Sequence, residues 1–382
     1  MKIRILKKNK DDLNVYTVKN SNISYEELEE LLNTYDKVII PSLDWENKGV
    51  RSLPKNFGNL EVEGDLYLRL NKLTSLPKSF GNLKVGGNLQ LSFNQLTSLP
   101  ESFGNLKVGR DLGLGNNKLT SLPESFGNLK VGGYLNLGHN QLASLPESFG
   151  NLKIKGNLDL GNNKLTSLPE SFGNLKVGSS LYLDYNKLTL LPESFGNLKI
   201  GGNLYLTYNQ LTSLPESFGN LKVKGNLSLT RNQLASLPES FGNIKVGGYL
   251  NLGHNQLASL PESFGNTKAG GTLWLYGNPW IIDADFVNFC EKYKGELVLD
   301  DESEKAITTF LKRQKKLEEW EESIVDEKLS IPKYLYHATY KPFLKSIKEK
   351  GLGNTRKKMW SDSANGVVYL ATNEDVAYSY AE

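Results

Sequence analysis

Cysteine is nearly absent: Cys290 is the single one in 382 residues. No intramolecular disulfide can form, which fits a reducing compartment and predicts a cytoplasmic protein. Export by a dedicated secretion system, or delivery into a host cell, is equally compatible with that usage. No run of about 18 apolar residues occurs, so no transmembrane helix is expected. The opening stretch MKIRILKKNKDDLNVYTVKN has basic residues but neither a continuous apolar segment nor a small-residue cleavage site, which argues against a secretory signal. A dominant charge is missing too. The 45 Lys and Arg against 42 Asp and Glu leave a formal net charge of +3, too balanced for nucleic acid or an anionic membrane as the main partner. The patterns G-x-x-x-x-G-K-[ST], H-E-x-x-H and C-x-x-C do not occur, which removes the familiar phosphate, zinc and dithiol chemistries.

What the chain has instead is repetition. Residues 121–143 return at 236–258 with one change, Leu129 for Ile244. Asparagine recurs every 23 residues from Asn71 to Asn278, proline from Pro54 to Pro261 and phenylalanine from Phe57 to Phe264. Leucine alternates with variable residues, as in Leu181-Tyr182-Leu183, the period of a half-buried strand. One unit cannot bury its own apolar edge, so units must stack into a parallel sheet. A buried asparagine can bond backbone groups of the adjacent turn, and the phenylalanines should form an inner spine on the convex side. Proline after leucine is expected to give an extended bend where no helix starts. Exposed lysine and glutamate columns (Lys84 to Lys268, Glu101 to Glu262) read as solubility rather than docking stripes.

The period and the L-x-L-x-x-N-x-L core resemble the leucine-rich repeat family, with ten units in register over about residues 50–279. Glycine in KVGGNL, where many such repeats carry leucine, resembles a bacterial subtype in which Val85 supplies the apolar contact. The resemblance implies an α/β solenoid with its parallel sheet on the concave face and few convex helices. The predicted organisation is an N-terminal cap at 1–50, the solenoid at 51–279, a C-terminal cap and charged helical linker at 280–333, and a further module at 334–382. Ser24 and Glu27 stand in capping-box spacing at the start of a helix in the first cap.

Shared positions are taken by packing, so function is sought where units differ. Tyr182, Asp184, Tyr185, Tyr205 and Tyr208 fall on the outward side of two successive strands, and Tyr249, Trp274 and Tyr276 near the last ones. Clustered aromatics on a rigid concave sheet point to a protein-binding surface, although tyrosine also simply suits strands. The middle strands, with Gly113, Gly115, Gly138 and Gly161, read as bare backbone with little to anchor a partner. Catalysis there is not expected. His139 and His254 lie five units apart, and the adjacent Asp159 and Asp184 form a carboxylate pair without a defined pocket.

The tail departs from the repeat. KYLYHATYKPFLKSIKEKGL and GVVYLATNEDVAYSYAE resemble the opening of the ADP-ribosyltransferase superfamily, its histidine–tyrosine–glutamate branch. The resemblance places His337 and Thr339 (in YHAT) and Tyr369 (in GVVYLAT) at an NAD site. No later strand with the family's glutamate is seen, so no catalytic residue is assigned. No cofactor is expected for this chain; NAD is implied for a complete domain in a longer protein. The reading is therefore a monomeric protein-binding scaffold, and its rival an NAD-dependent transferase whose repeats select the target.

Overall fold

The computed structural model describes residues 14–19, 21–326, 336–338 and 368–371, with 320–326 and the last two segments described for the backbone alone. The chain divides into two compact units, Met1–Phe310 and Leu311–Glu382. Within the first, each repeat contributes a two-residue strand whose leucine is buried and whose next residue faces outward, as at Leu181–Tyr182. Stacked in register, leucine on leucine, these strands build a twelve-stranded parallel sheet from Leu43–Asp44 to Leu297–Val298. Phenylalanines 57 to 264 stack behind it with ring centroids 5.7–6.1 Å apart. Parallel strands lie only about 4.8 Å apart. The wider step on the phenylalanine side bends the stack, so the twelve-stranded face is the concave one.

The asparagines close each turn onto the one before it. Asn140 Nδ2 donates to the Leu114 and Leu137 carbonyls at 3.1 and 3.0 Å, and its Oδ1 accepts from Leu119 N at 3.0 Å. On the convex side the proline does not exclude helix, contrary to expectation. A five-residue 3₁₀ turn starts directly after it, as at Glu124–Asn128 after Pro123, because proline's fixed φ suits the residue entering a turn. Serine ties these turns together: Ser79 Oγ donates to Lys55 O at 2.6 Å and accepts from Gly58 N at 3.1 Å. The glycine after each phenylalanine from Phe57 to Phe241 is obligatory, since a Cβ there would collide with the next turn's serine carbonyl, as on Gly127 with Ser148, whereas Gly265 in the last turn has open space.

A second set of parallel strands flanks the first, six from Val15–Thr17 to Lys130–Val131 and six from Lys153–Ile154 to Lys268–Ala269. From Lys84 onward each pairs the exposed lysine of one unit with that of the next. The ladder is interrupted between Lys130–Val131 and Lys153–Ile154. Most units place glycine after the Lys-Val pair, and there a Cβ would strike the preceding turn's carbonyl, as at Gly109 against Gly86. Gly109 and Gly178 thereby donate to Val85 O and Ile154 O at 2.8 Å. Lys155 carries a Cβ at this place, and among the described residues the matching bond to Val131 is not made. Lys224, the other lysine here, also lacks its bond, although the strands Lys199–Ile200 and Lys222–Val223 stay paired.

Both ends of the solenoid are covered. Helix α1, Tyr25–Thr34, carries a full capping box between Ser24 and Glu27, and Trp45 extends the ring stack beyond Phe57 while donating to Ile23 O. At the other end α2, Ala284–Lys292, is capped by Asp283 and sets Phe289 edge-on against Phe264. Trp280 packs on Phe286. The charged helix α3, Asp301–Asp326, follows.

Two contrasts check this packing. Phe172, fully buried, should cost about 3–5 kcal/mol on Phe172→Ala, and exposed Lys176 almost nothing on Lys176→Ala. In denaturant titrations Gly109→Ala should lose on the order of 1–3 kcal/mol, whereas Lys155→Ala is silent. Equal losses within either pair would contradict the assignment of inside and outside.

Candidate binding surface

The concave strands offer three outward columns: the residue between the leucines, the residue after the second leucine, and the one following it at the sheet's rim. That rim column has left-handed backbone throughout, with φ between 51° and 58° at Leu70, Phe93, Asn116, His139, Asn162, Tyr185, Tyr208, Arg231 and His254, and glycine only at Gly277. Asparagine and histidine tolerate this conformation, but a bulky side chain there costs on the order of 1–3 kcal/mol. The fold gains nothing from such a choice, so Leu70, Phe93, Tyr185, Tyr208 and Arg231 point to a role outside folding.

The structure brings the predicted tyrosines together as stacked pairs. Tyr182 lies on Tyr205 with centroids 5.2 Å apart, and Tyr185 on Tyr208 at 4.4 Å and 13°. Arg231, which the sequence reading missed, completes the second tier with its guanidinium 5.0 Å from the Tyr208 ring centre, a cation–π contact. Tyr249 packs on Trp274 at 4.7 Å, and Tyr276 meets His254 edge-on at 5.0 Å. Beyond the small buried Ser228, burial first, and the neighbouring Tyr205 hydroxyl, push the Tyr249 phenol up to about 12. The two aromatic groups are thus one continuous stripe. Ring faces are used against each other within each pair.

The glycine-rich middle is not bare. Gly113, Gly115, Gly138 and Gly161 are buried because neighbouring side chains fold over them. Asn136 Oδ1 accepts from Gly138 N at 2.8 Å and Asp159 Oδ1 from Gly161 N at 2.9 Å. Tyr134, also missed, donates its hydroxyl to Asp159 at 3.3 Å; burial, then the Asp159 charge, raise its pKa. Asp159 and Asp184 do converge: a Cβ on Gly161 would lie 3.2 Å from an Oδ1 of each. Burial first, and the Asp159 charge, push the Asp184 carboxyl above its ordinary 3.8, while His139 acts in the opposite sense. Among the described residues no group of three or more His, Cys, Asp or Glu is placed to hold a metal ion, and no helix is long and apolar enough to cross a membrane.

The signal for Arg231 and Tyr134 was present in the sequence as large residues at variable positions, but only the left-handed φ and ring distance of Arg231 and the Asp159 hydrogen bond of Tyr134 connect them to the concave face. In the second unit, strands Tyr336–Ala338 and Val368–Ala371 pair antiparallel, Tyr336 opposite Ala371 and Ala338 opposite Val368. They contain His337 and Tyr369; Thr339 lies outside the described residues.

Four segments, 134–152, 157–175, 179–198 and 203–221, match the Leucine Rich Repeat family model. The first unit is a leucine-rich repeat solenoid. Among solved structures the chain is similar to a leucine-rich repeat protein of Leptospira interrogans, with 26% identity over 75% of this chain and 96% of that one and a TM-score of 0.40. It is also similar to YopM, a leucine-rich effector protein from Yersinia pestis, with 25% identity over 62% of this chain and 61% of that one and a TM-score of 0.43. The leucine-rich repeat domain of APL1B shares 22% identity over 68% of this chain and 73% of that one, TM-score 0.48. No curated protein matches the chain.

A carboxyl whose folded pKa is raised destabilises the fold above that pKa and ceases to do so below its unfolded value. Asp184→Asn should therefore melt higher than the parent at neutral pH, and the difference should shrink as pH falls toward 3.8. A gap that is constant with pH would show that the Asp184 charge is not strained.

Proposed function

We propose that the chain is a protein-binding scaffold that recognises a protein partner through the concave stripe of Tyr182, Asp184, Tyr185, Tyr205, Tyr208, Tyr249, Trp274 and Tyr276. The observation that carries this reading is the Tyr185–Tyr208–Arg231 tier. Two tyrosines 48% and 39% exposed are held on a rigid sheet by mutual stacking. Rings already fixed in place lose little freedom on binding, the property that makes aromatic anchors effective. The solenoid acts as a monomer, since Trp45 with α1 and Trp280 with α2 leave no raw leucine edge for a second copy. A cytoplasmic setting, or delivery from one, suits Cys290, whose thiol burial pushes up to about 11, far from redox use.

Replacing Tyr182, Tyr185, Tyr205 and Tyr208 together by alanine should weaken a partner captured from the source cells by on the order of 3 kcal/mol or more in calorimetry. Unchanged affinity with an intact circular dichroism spectrum would place the site elsewhere.

A second reading is an NAD-dependent ADP-ribosyltransferase whose repeats select the target. The antiparallel pairing of the strands that contain His337 and Tyr369 favours it, because that resemblance needs the two motifs side by side. Nicotinamide release from NAD that vanishes on His337→Ala would support it; no release above buffer would leave the scaffold reading alone.

A further inference from the structure

Among the described residues, seven large apolar side chains are exposed by 39% or more: Leu70, Phe93, Tyr185, Leu190, Tyr208, Ile281 and Leu317. Four of them share the left-handed rim column. They form two adjacent pairs, Leu70 with Phe93 and Tyr185 with Tyr208, separated by the polar rim residues Asn116, His139 and Asn162. The second pair belongs to the stripe described above; the first does not. From these positions we infer that Leu70 and Phe93 form a second anchor site, and that the partner's contacting element is an amphipathic α-helix with two apolar anchors about 20 Å apart and a basic residue between them.

The spacing follows from the stack. Phe93 and Tyr185 are four strands apart, or about 19 Å at the usual strand separation. A helix covers this with fourteen residues, about 21 Å, which also returns to nearly the same face. An extended segment fits less well. The rim N–H groups are already used, Phe93 N on Gly115 O at 3.0 Å and Tyr185 N on Thr207 O at 2.9 Å, so an added strand would find no ladder and leave its own backbone unpaired. A helix arrives with its backbone satisfied. The basic residue follows from charge: Asp159 and Asp184 converge beside Gly161, on the inner side of the Tyr185 anchor and within about one strand of it, and an opposing cation would relieve their mutual repulsion. This inference rests on the concave-face reading.

The test uses the full chain and fluorescein-labelled synthetic helical peptides of three designs. One carries tryptophan anchors fourteen residues apart with lysine one turn inside one anchor, one the same anchors with glutamate at that place, and one places the anchors seven residues apart. By fluorescence anisotropy the first should bind at least about tenfold tighter than the others. Phe93→Asn and Tyr185→Asn should each remove that advantage by about tenfold. Because asparagine suits left-handed backbone, both variants should melt no lower than the parent, and up to about 2–4 °C higher. Equal binding of the seven-spaced or glutamate peptides, or no binding of any peptide, would overturn the inference. A fall in melting temperature for Phe93→Asn would overturn it as well, by showing that the ring serves folding. If Tyr185→Asn weakens binding and Phe93→Asn does not, the second anchor falls while the tyrosine stripe stands.

Discussion

The solenoid hangs on one buried amide per turn. Each asparagine from Asn71 to Asn278 reaches back to the previous turn, its Nδ2 on a carbonyl (Trp45 for Asn71, a leucine for the rest) and its Oδ1 under a backbone N–H, as Asn163 does with Leu137 and Leu142. Those backbone groups lie where the chain leaves the strand, inside the apolar stack and out of reach of water. Unpaired, each would carry the full desolvation cost. The need to satisfy them in every turn fixes the period at one asparagine per unit. The leucines and phenylalanines then follow in register, each in contact with its own copy.

That constraint also decides where function can sit. Leucine fills the core behind the concave face, phenylalanine the spine, serine and glycine the contacts between 3₁₀ turns, and the Lys-Val doublets the lateral sheet. The buried members of these sets, such as Leu135, Phe149 and Val131, pack against their copies in the neighbouring turns and cannot change without loss. The three outward columns alone are free. Among them the rim column is the most telling, because its backbone favours glycine or asparagine and yet holds Phe93, Tyr185, Tyr208 and Arg231. A residue that a fold tolerates at a cost, at a position where a cheaper one would fold better, is evidence of selection for contact with something else.

Much of the fold was legible because the repeat itself is a comparison: the invariant Asn140, Phe149 and Leu135 are packing, and the variable Tyr182 and Tyr205 are surface. The lateral sheet was not legible, since a doublet such as Lys107-Val108 is too short to show an alternation. Proline was misread as excluding helix, because the 3₁₀ turn needs only the φ that proline already supplies. The middle glycines were misread as bare, because the covering of Gly138 by Asn136 and of Gly161 by Asp159 comes from side chains two residues earlier. Leu70 and Phe93 escaped notice for a similar reason. A left-handed φ leaves a sequence signature only when glycine or asparagine occupies it.

The most direct test sets two adjacent asparagines against each other. Asn162 is a half-buried rim residue at φ 53°, and Asn163 beside it is the buried ladder residue, bonded to Leu137 O, Leu160 O and Leu142 N. In equilibrium urea unfolding Asn162→Gly should stay within about 0.5 kcal/mol of the parent, since glycine accepts the left-handed backbone. Asn163→Gly should lose about 2–5 kcal/mol, because it strands buried backbone groups in two turns. Comparable losses at the two positions would contradict the account, since the ladder would then not be what holds one turn to the next.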